Sequence, residues 1–185
     1  MNSLIKIYST DDISYEKLHF MDISDGKIYI KYQDGTNLNP LLFKLEKMNL
    51  ESDLRNGEIN LTLNNNDILN FFNKLDGHMI NLGRKNKKNW PFDTKRIKYK
   101  MLVRDDDIIK IKIDDKTLFY DSKKKLIKDY NHYFQKNTGV KILLEIESII
   151  VMKNVYYLNV IPHQVMALKK KENKLLYELS SESDS

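Results

Sequence analysis

The chain has 185 residues, enough to bury one sizeable core, and it contains no cysteine, which excludes disulfides and thiolate metal sites. Its 31 basic and 26 acidic side chains leave a formal net charge of +5, unevenly spread: residues 1–83 carry eight basic and twelve acidic side chains, residues 84–128 sixteen and seven. Such asymmetry points to one region that faces a polyanion rather than to a uniformly cationic surface.

The first eighty residues read as short strands followed by one helix. Leu4–Tyr8, Lys17–Met21 and Lys27–Tyr32 are the first expected strands, the third bounded by the hairpin signals Asp25-Gly26 and Asp34-Gly35. Asn39-Pro40 restarts an extended run at Leu41–Leu45, and Glu58–Leu63 alternates as a further strand. The Asn64–Asp67 run then supplies capping chemistry for a helix over 67–80, with Ile68, Phe72, Leu75 and Met79 at helical spacing and Gly83 as a natural stop.

Residues 84–94 are basic and Asn-rich, and mark the expected boundary between an N-terminal β-rich subdomain (1–83) and a second unit (95–169). A long strand is predicted over 95–104, with Ile97, Tyr99, Met101 and Val103 on one face and Arg96, Lys98, Lys100 and Arg104 on the other. Ile109–Ile113 and Thr117–Tyr120 follow as strands. Ser122 is the expected cap of a helix carrying Leu126, Ile127, Tyr130, Tyr133 and Phe134 inward, and two longer strands are predicted near 140–152 and 155–168. Residues 170–185 read as a flexible acidic tail.

Strand, strand, strand, helix, strand, strand is the element order of the OB-fold. The expected architecture is therefore mainly β (α+β): a five-stranded OB-like barrel with a helix between strands 3 and 4, preceded by an N-terminal strand-rich elaboration with one helix. No apolar run reaches the roughly 20 residues that a membrane helix needs, and the first residues lack the pattern of a signal peptide. A soluble intracellular protein without membrane contact is expected.

A sequence-tolerant binder of unpaired polynucleotide needs cations along the phosphates and rings on which bases stack. The cations in position to serve are Lys87, Lys88, Arg96, Lys98, Lys100, Lys110, Lys112 and Lys153; the rings are Trp90, Phe92, Phe119, Tyr120 and Tyr156, with Tyr157 beside the last. Neighbours on a strand face opposite ways, so only one of Phe119 and Tyr120, and one of Tyr156 and Tyr157, points outward. Asp105-Asp106-Asp107 lies where phosphates would pass, and reads as a tight solvated turn. Four scattered histidines, no Gly-rich phosphate loop and no nucleophile elbow argue against catalysis. No cofactor and no metal site are expected.

Several of these pieces carry a resemblance: Trp90 ahead of the basic Lys95–Arg104 strand, Thr117-Leu118-Phe119-Tyr120-Asp121, Gly139-Val140-Lys141-Ile142-Leu143-Leu144, and the closing Tyr157…Gln164-Val165. With weaker matches at Asn39-Pro40-Leu41 and in the helix 67–80, the stretch Trp90–Lys169 resembles the single-stranded DNA-binding proteins of large DNA viruses, and more loosely phage replication proteins of that kind. The resemblance implies non-catalytic, largely sequence-independent coating of single-stranded DNA during replication or repair, in the host cytoplasm (viral factory) or nucleus. It also implies replication proteins as partners. RNA stays open as the bound strand, and self-association through the N-terminal strands stays open as well. Two alternatives remain: a protein-interaction or virion-structural module, and a metal-dependent nuclease built on Glu145, Glu147 and Lys153.

Overall fold

The structure is a computed structural model that describes residues 6–54, 57–86, 97–104 and 107–168. In chain order its strands are β1 (Ile7–Tyr8), β2 (Leu18–Ser24), β3 (Lys27–Asp34), β4 (Asn37–Asn39), β5 (Leu41–Leu50) and β6 (Glu58–Thr62). The helix α1 (Asn66–Asn86) comes next. After it stand β7 (Lys98–Tyr99), β8 (Val103–Arg104), β9 (Ile108–Lys112), β10 (Leu118–Tyr120), β11 (Leu126–Ile127), β12 (Gly139–Val151) and β13 (Val155–Ala167).

Period-two alternation builds the centre of the sheet. In β12 the side chains of Val140, Ile142, Leu144 and Ile146 are buried, and in β13 those of Tyr156, Leu158 and Val160, while the residues between them face outward. The two strands form an antiparallel hairpin from Val151↔Tyr156 to Val140↔Ala167, with register shifts at Leu143/Leu144 and Ile146/Ser148 that bend it. On its other edge β12 pairs antiparallel with β5 and, further along, with β3.

From this centre the ladder continues as β5–β6–β9–β8 on one side and, through a parallel pairing of β13 with β10, to β11 on the other. The β2–β3 turn uses Asp25 and Gly26, both at positive φ, the conformation of a two-residue hairpin turn that matches strand twist. Strands from before residue 84 and after residue 97 therefore lie interleaved in a single 13-stranded mixed sheet, over one continuous core. The N-terminal strands do not form a sheet of their own.

Helix α1 begins where expected, with the Asn65 side chain accepting from the amides of Asp67 at 2.8 Å and Ile68 at 3.4 Å. Its buried stripe is Ile68, Phe71, Phe72, Leu75, Asp76, Met79 and Gly83. The helix passes through Gly83 rather than stopping there. Gly83 faces Tyr156, and a Cβ at this position would overlap the phenol, so the residue serves close packing and not termination.

Three expectations need correction. The strand expected over 95–104 is, within the described residues 97–104, two short pieces, because residues 100–102 leave the ladder between β7, which pairs parallel with β13, and β8, which pairs with β9. The helix expected after Ser122 is absent; turns and the short β11 occupy 121–138. Here the Asp121 carboxylate accepts from the amides of Lys123 (2.8 Å) and Lys125 (2.9 Å), and Lys124 and Asn137 take positive φ, so local hydrogen bonds outcompete the helix. Phe134 and Phe119 are nonetheless core residues, their ring centroids 5.4 Å apart. Finally, the hydrogen-bonded ladder runs as an open path with β11 and β8 at its ends, so strand pairing alone does not close the five-stranded barrel expected over 95–169.

Candidate nucleic-acid interface

One buried carboxylate shapes the site. Asp76 is fully buried on α1 and accepts from the Tyr99 hydroxyl at 2.7 Å, from the Leu102 amide at 3.1 Å and from the Val103 amide at 3.1 Å. The two amides are donors that a continuous strand would have spent on a neighbour, so Asp76 stabilises the break at 100–102. Burial pushes the Tyr99 phenol far above its ordinary range, and the adjacent Asp76 charge and hydrogen bond push it the same way.

The break lets residues 98–104 cross from β13 to β9. At the β13 end the Lys98 amide donates to the Asn154 carbonyl at 3.1 Å and the Lys100 amide to the Tyr156 carbonyl at 2.9 Å. Between the crossing segment, β9 and the first half of β13 lies a groove of about 190 Å³. Lys100, Arg104, Lys110 and Lys112 line it together with Met101, Tyr157 and Asn159, against one acid, Glu58. The Lys110 ammonium stands 3.9 Å from that carboxylate, a loose and half-exposed pair, and the Lys100 ammonium sits over the Tyr157 ring 5.8 Å from its centroid.

Lys98 opens instead onto a neighbouring cavity of about 360 Å³, shared with Arg84 at the end of α1 and with Met101. Lys153 is exposed in the β12–β13 turn, whose next residue, Asn154, holds the Lys98 amide. The cations thus lie along one side of the molecule, from the hairpin turn to β9. Lys87, Lys88, Trp90, Phe92 and Arg96 lie outside the described residues.

The rings divide differently from expectation. Phe119 is 3 % exposed and stacked on Tyr130 at 4.0 Å, and Tyr156 is 4 % exposed with its hydroxyl donating to the Met79 carbonyl at 3.1 Å. Neither offers a free face to a base. Tyr157 is the outward ring, and its signal was in the sequence: Tyr156, Leu158 and Val160 form the apolar stripe of β13, which turns Tyr157 and Asn159 the other way. Tyr120 is half-buried in a separate cavity, with Lys124, Lys141 and Met166.

Asp107 takes positive φ and its carbonyl accepts from the Leu63 amide at 2.9 Å, which fastens the loop after β8 to the end of β6; Asp105 and Asp106 lie outside the described residues. The two strand acids are engaged separately, Glu145 with His163 at 2.7 Å and Glu147 with Asn159 at 2.7 Å and Ser148 at 3.2 Å. About 20 Å of strand separates Glu145 from the turn that carries Lys153. Among the described residues no three His, Asp or Glu side chains gather as a metal site. None of the described helices is long and apolar enough to cross a membrane.

No protein-family model matches the sequence, and no curated protein matches it. Among solved structures, the chain shares its fold with the single-stranded DNA-binding protein of bacteriophage Enc34, at TM-score 0.50 and 12% identity, over 83% of this chain and 90% of that one. A structure of the Enc34 protein in complex with ssDNA aligns at TM-score 0.49 and 13% identity, over 85% and 98% of the two chains. The gp2.5 single-stranded DNA-binding protein of bacteriophage T7 aligns at TM-score 0.40 and 14% identity, over 78% and 97%. At 12% identity the likeness to the Enc34 protein is one of fold.

Proposed function

We propose that the chain is a non-catalytic, sequence-tolerant single-stranded DNA-binding protein of viral replication or repair, acting inside the host cell. The observation that carries this reading is the convergence of Lys100, Arg104, Lys110 and Lys112, brought from two segments, on one groove with the Tyr157 ring beside it. Cations so arranged track a phosphate backbone, and an outward ring gives a base a surface on which to stack, worth about 1–3 kcal/mol. The shared fold with a phage single-stranded DNA-binding protein supports the same reading.

In this proposal the OB-like barrel is built differently from the sequence expectation. Its five strands are β5, β6, β9 continued by β10, β12 and β13, which the pairings β5–β6, β6–β9, β10–β13, β13–β12 and β12–β5 support. Helix α1 then falls between the second and third strands. In such barrels the face of strands two and three and the loops after strands one and four contact oligonucleotides. Those parts are here β6 and β9, which line the groove through Glu58, Lys110 and Lys112, and the β5–β6 and β12–β13 connections, the second of which carries Lys153.

The test is titration of labelled oligo-dT across a salt series, beside duplex DNA of equal length. Preference for the single strand, with a steep salt dependence, is expected. Replacing Lys100, Lys110 and Lys112 by Ala removes up to three phosphate contacts and should flatten the slope of log K on log salt by about 0.7 per contact. Unchanged affinity and slope in the triple variant would rule the groove out.

A further inference from the structure

We infer that a second surface, on the outer face where β5, β10, β12 and β13 meet, docks an acidic peptide segment rich in aliphatic side chains from a partner protein. A cavity of about 360 Å³ opens there. Its floor is aliphatic, made by Ile7, Leu143 and Met166, and its rim carries Lys44, Lys124 and Lys141. Glu46 is the one acid among the lining residues, and it is already held by Lys141 in a close ion pair and by Lys44 at 3.6 Å. Lys141 keeps the Glu46 carboxyl below the usual range, so Glu46 stays ionised and offsets one lysine, and the three rim lysines still leave an excess of positive charge.

Lys124 comes from the tip of the β10–β11 hairpin, where Lys123 and Lys125 flank it. The tip is fixed by the two amide bonds to Asp121 and by an Asp121 amide to Lys125 carbonyl bond at 2.9 Å, so the three lysines are presented on a preformed turn. The Lys124 side chain is exposed at this tip, and the Ile7 side chain of the floor is 49 % exposed.

The chemistry favours a peptide over a polynucleotide. Bases stack on rings, and this cavity has a single half-buried one, Tyr120, whereas an aliphatic floor receives Leu or Ile side chains and the lysine rim receives carboxylates. From Tyr157 in the groove to Met166 in this cavity is about 30 Å along β13, so both surfaces can be filled at once. The proposal does not depend on the DNA reading.

The experiment titrates the full chain against a short fluorescein-labelled peptide that alternates Glu with Leu, alone and with saturating oligo-dT, and follows anisotropy. Saturable binding is expected, weaker by about five-fold in Lys124→Glu, the scale of one exposed charge contact, weaker also in Met166→Gln, and unmoved by oligo-dT. Lys124 is exposed and Met166 half-buried, so Lys124→Glu should melt with the parent, and peptide binding by Met166→Gln is read well below its own melting temperature. Absence of saturation, equal binding by both variants, or equal binding of a Lys–Leu peptide would overturn the proposal. So would a change in the sedimentation of Lys124→Glu without peptide, which would make a second copy of this chain the occupant.

Discussion

The Tyr99 hydroxyl donates to the Asp76 carboxylate across 2.7 Å, although 22 residues intervene between them in the chain, and this bond joins the helix to the segment that carries the groove cations. Asp76 also accepts from the Leu102 and Val103 amides, so a single buried acid sets the path of four consecutive peptide units.

Asp76→Ala should therefore cost about 3 kcal/mol, since it strands two amides and a hydroxyl away from water. Asp76→Asn, which keeps one acceptor, should cost less. Urea unfolding gives the magnitude. Amide exchange gives the location: Leu102 and Val103 should lose protection in the Ala variant before the β12 and β13 amides do. Equal loss at all of these positions would place the role of Asp76 in global stability alone.

The same pair predicts an alkaline limit. Burial raises the Tyr99 pKa above its ordinary 10, so the folded state keeps a proton that the unfolded state releases. The stability from this group is complete below about pH 10 and declines as pH rises beyond it. Thermal melts between pH 8 and 11 should show that decline, and Tyr99→Phe should make it shallower. Half-buried Tyr15, its phenol pushed up to about 12 by desolvation, contributes a parallel decline that Tyr99→Phe leaves in place.

Two adjacent tyrosines should separate binding from folding. Tyr157→Ala removes the outward ring, with an expected loss of about 1–3 kcal/mol in single-strand affinity and little change in melting temperature. Tyr156→Phe removes the bond to the Met79 carbonyl, with an expected loss of about 1 kcal/mol of stability and unchanged affinity. Paired measurements of affinity and melting on both variants check the split.

Gly83→Ala tests the packing of α1. In an exposed helix this change stabilises by up to about 1 kcal/mol. Here the added methyl meets the Tyr156 phenol, and a loss of about 1–3 kcal/mol is expected, read from denaturant midpoints. A Tyr156→Leu background, which vacates that space, should reverse the sign.

Local chemistry was the legible part of this fold. Asp25-Gly26 marked a hairpin, Asn65 a helix start, and the alternation in β12 and β13 two long strands, because each signal acts within a few residues of its cause. The break at 100–102 could not be read the same way, since its cause is Asp76, an acid whose burial becomes visible only when α1 lies against the sheet. Strand order was hidden for a similar reason. Nothing local in Leu41–Leu50 shows that it pairs with Gly139–Ile146, and an apparent barrel beginning at residue 95 fitted the element count equally well. In the candidate site the lysines were visible from charge and period, and the choice of Tyr157 over Tyr156 was open to the same period-two reading through the apolar stripe Tyr156, Leu158 and Val160.

The placement of β12 between strands from both halves also governs how the polypeptide comes apart. Its partners are β13 from its own half and β5 and β3 from the other, so each half alone exposes a bare row of amides and carbonyls. Two polypeptides, one ending at Asn86 and the other starting at Ile97, should behave as complementary fragments: insoluble or unstructured apart, and restoring one assembly when co-expressed.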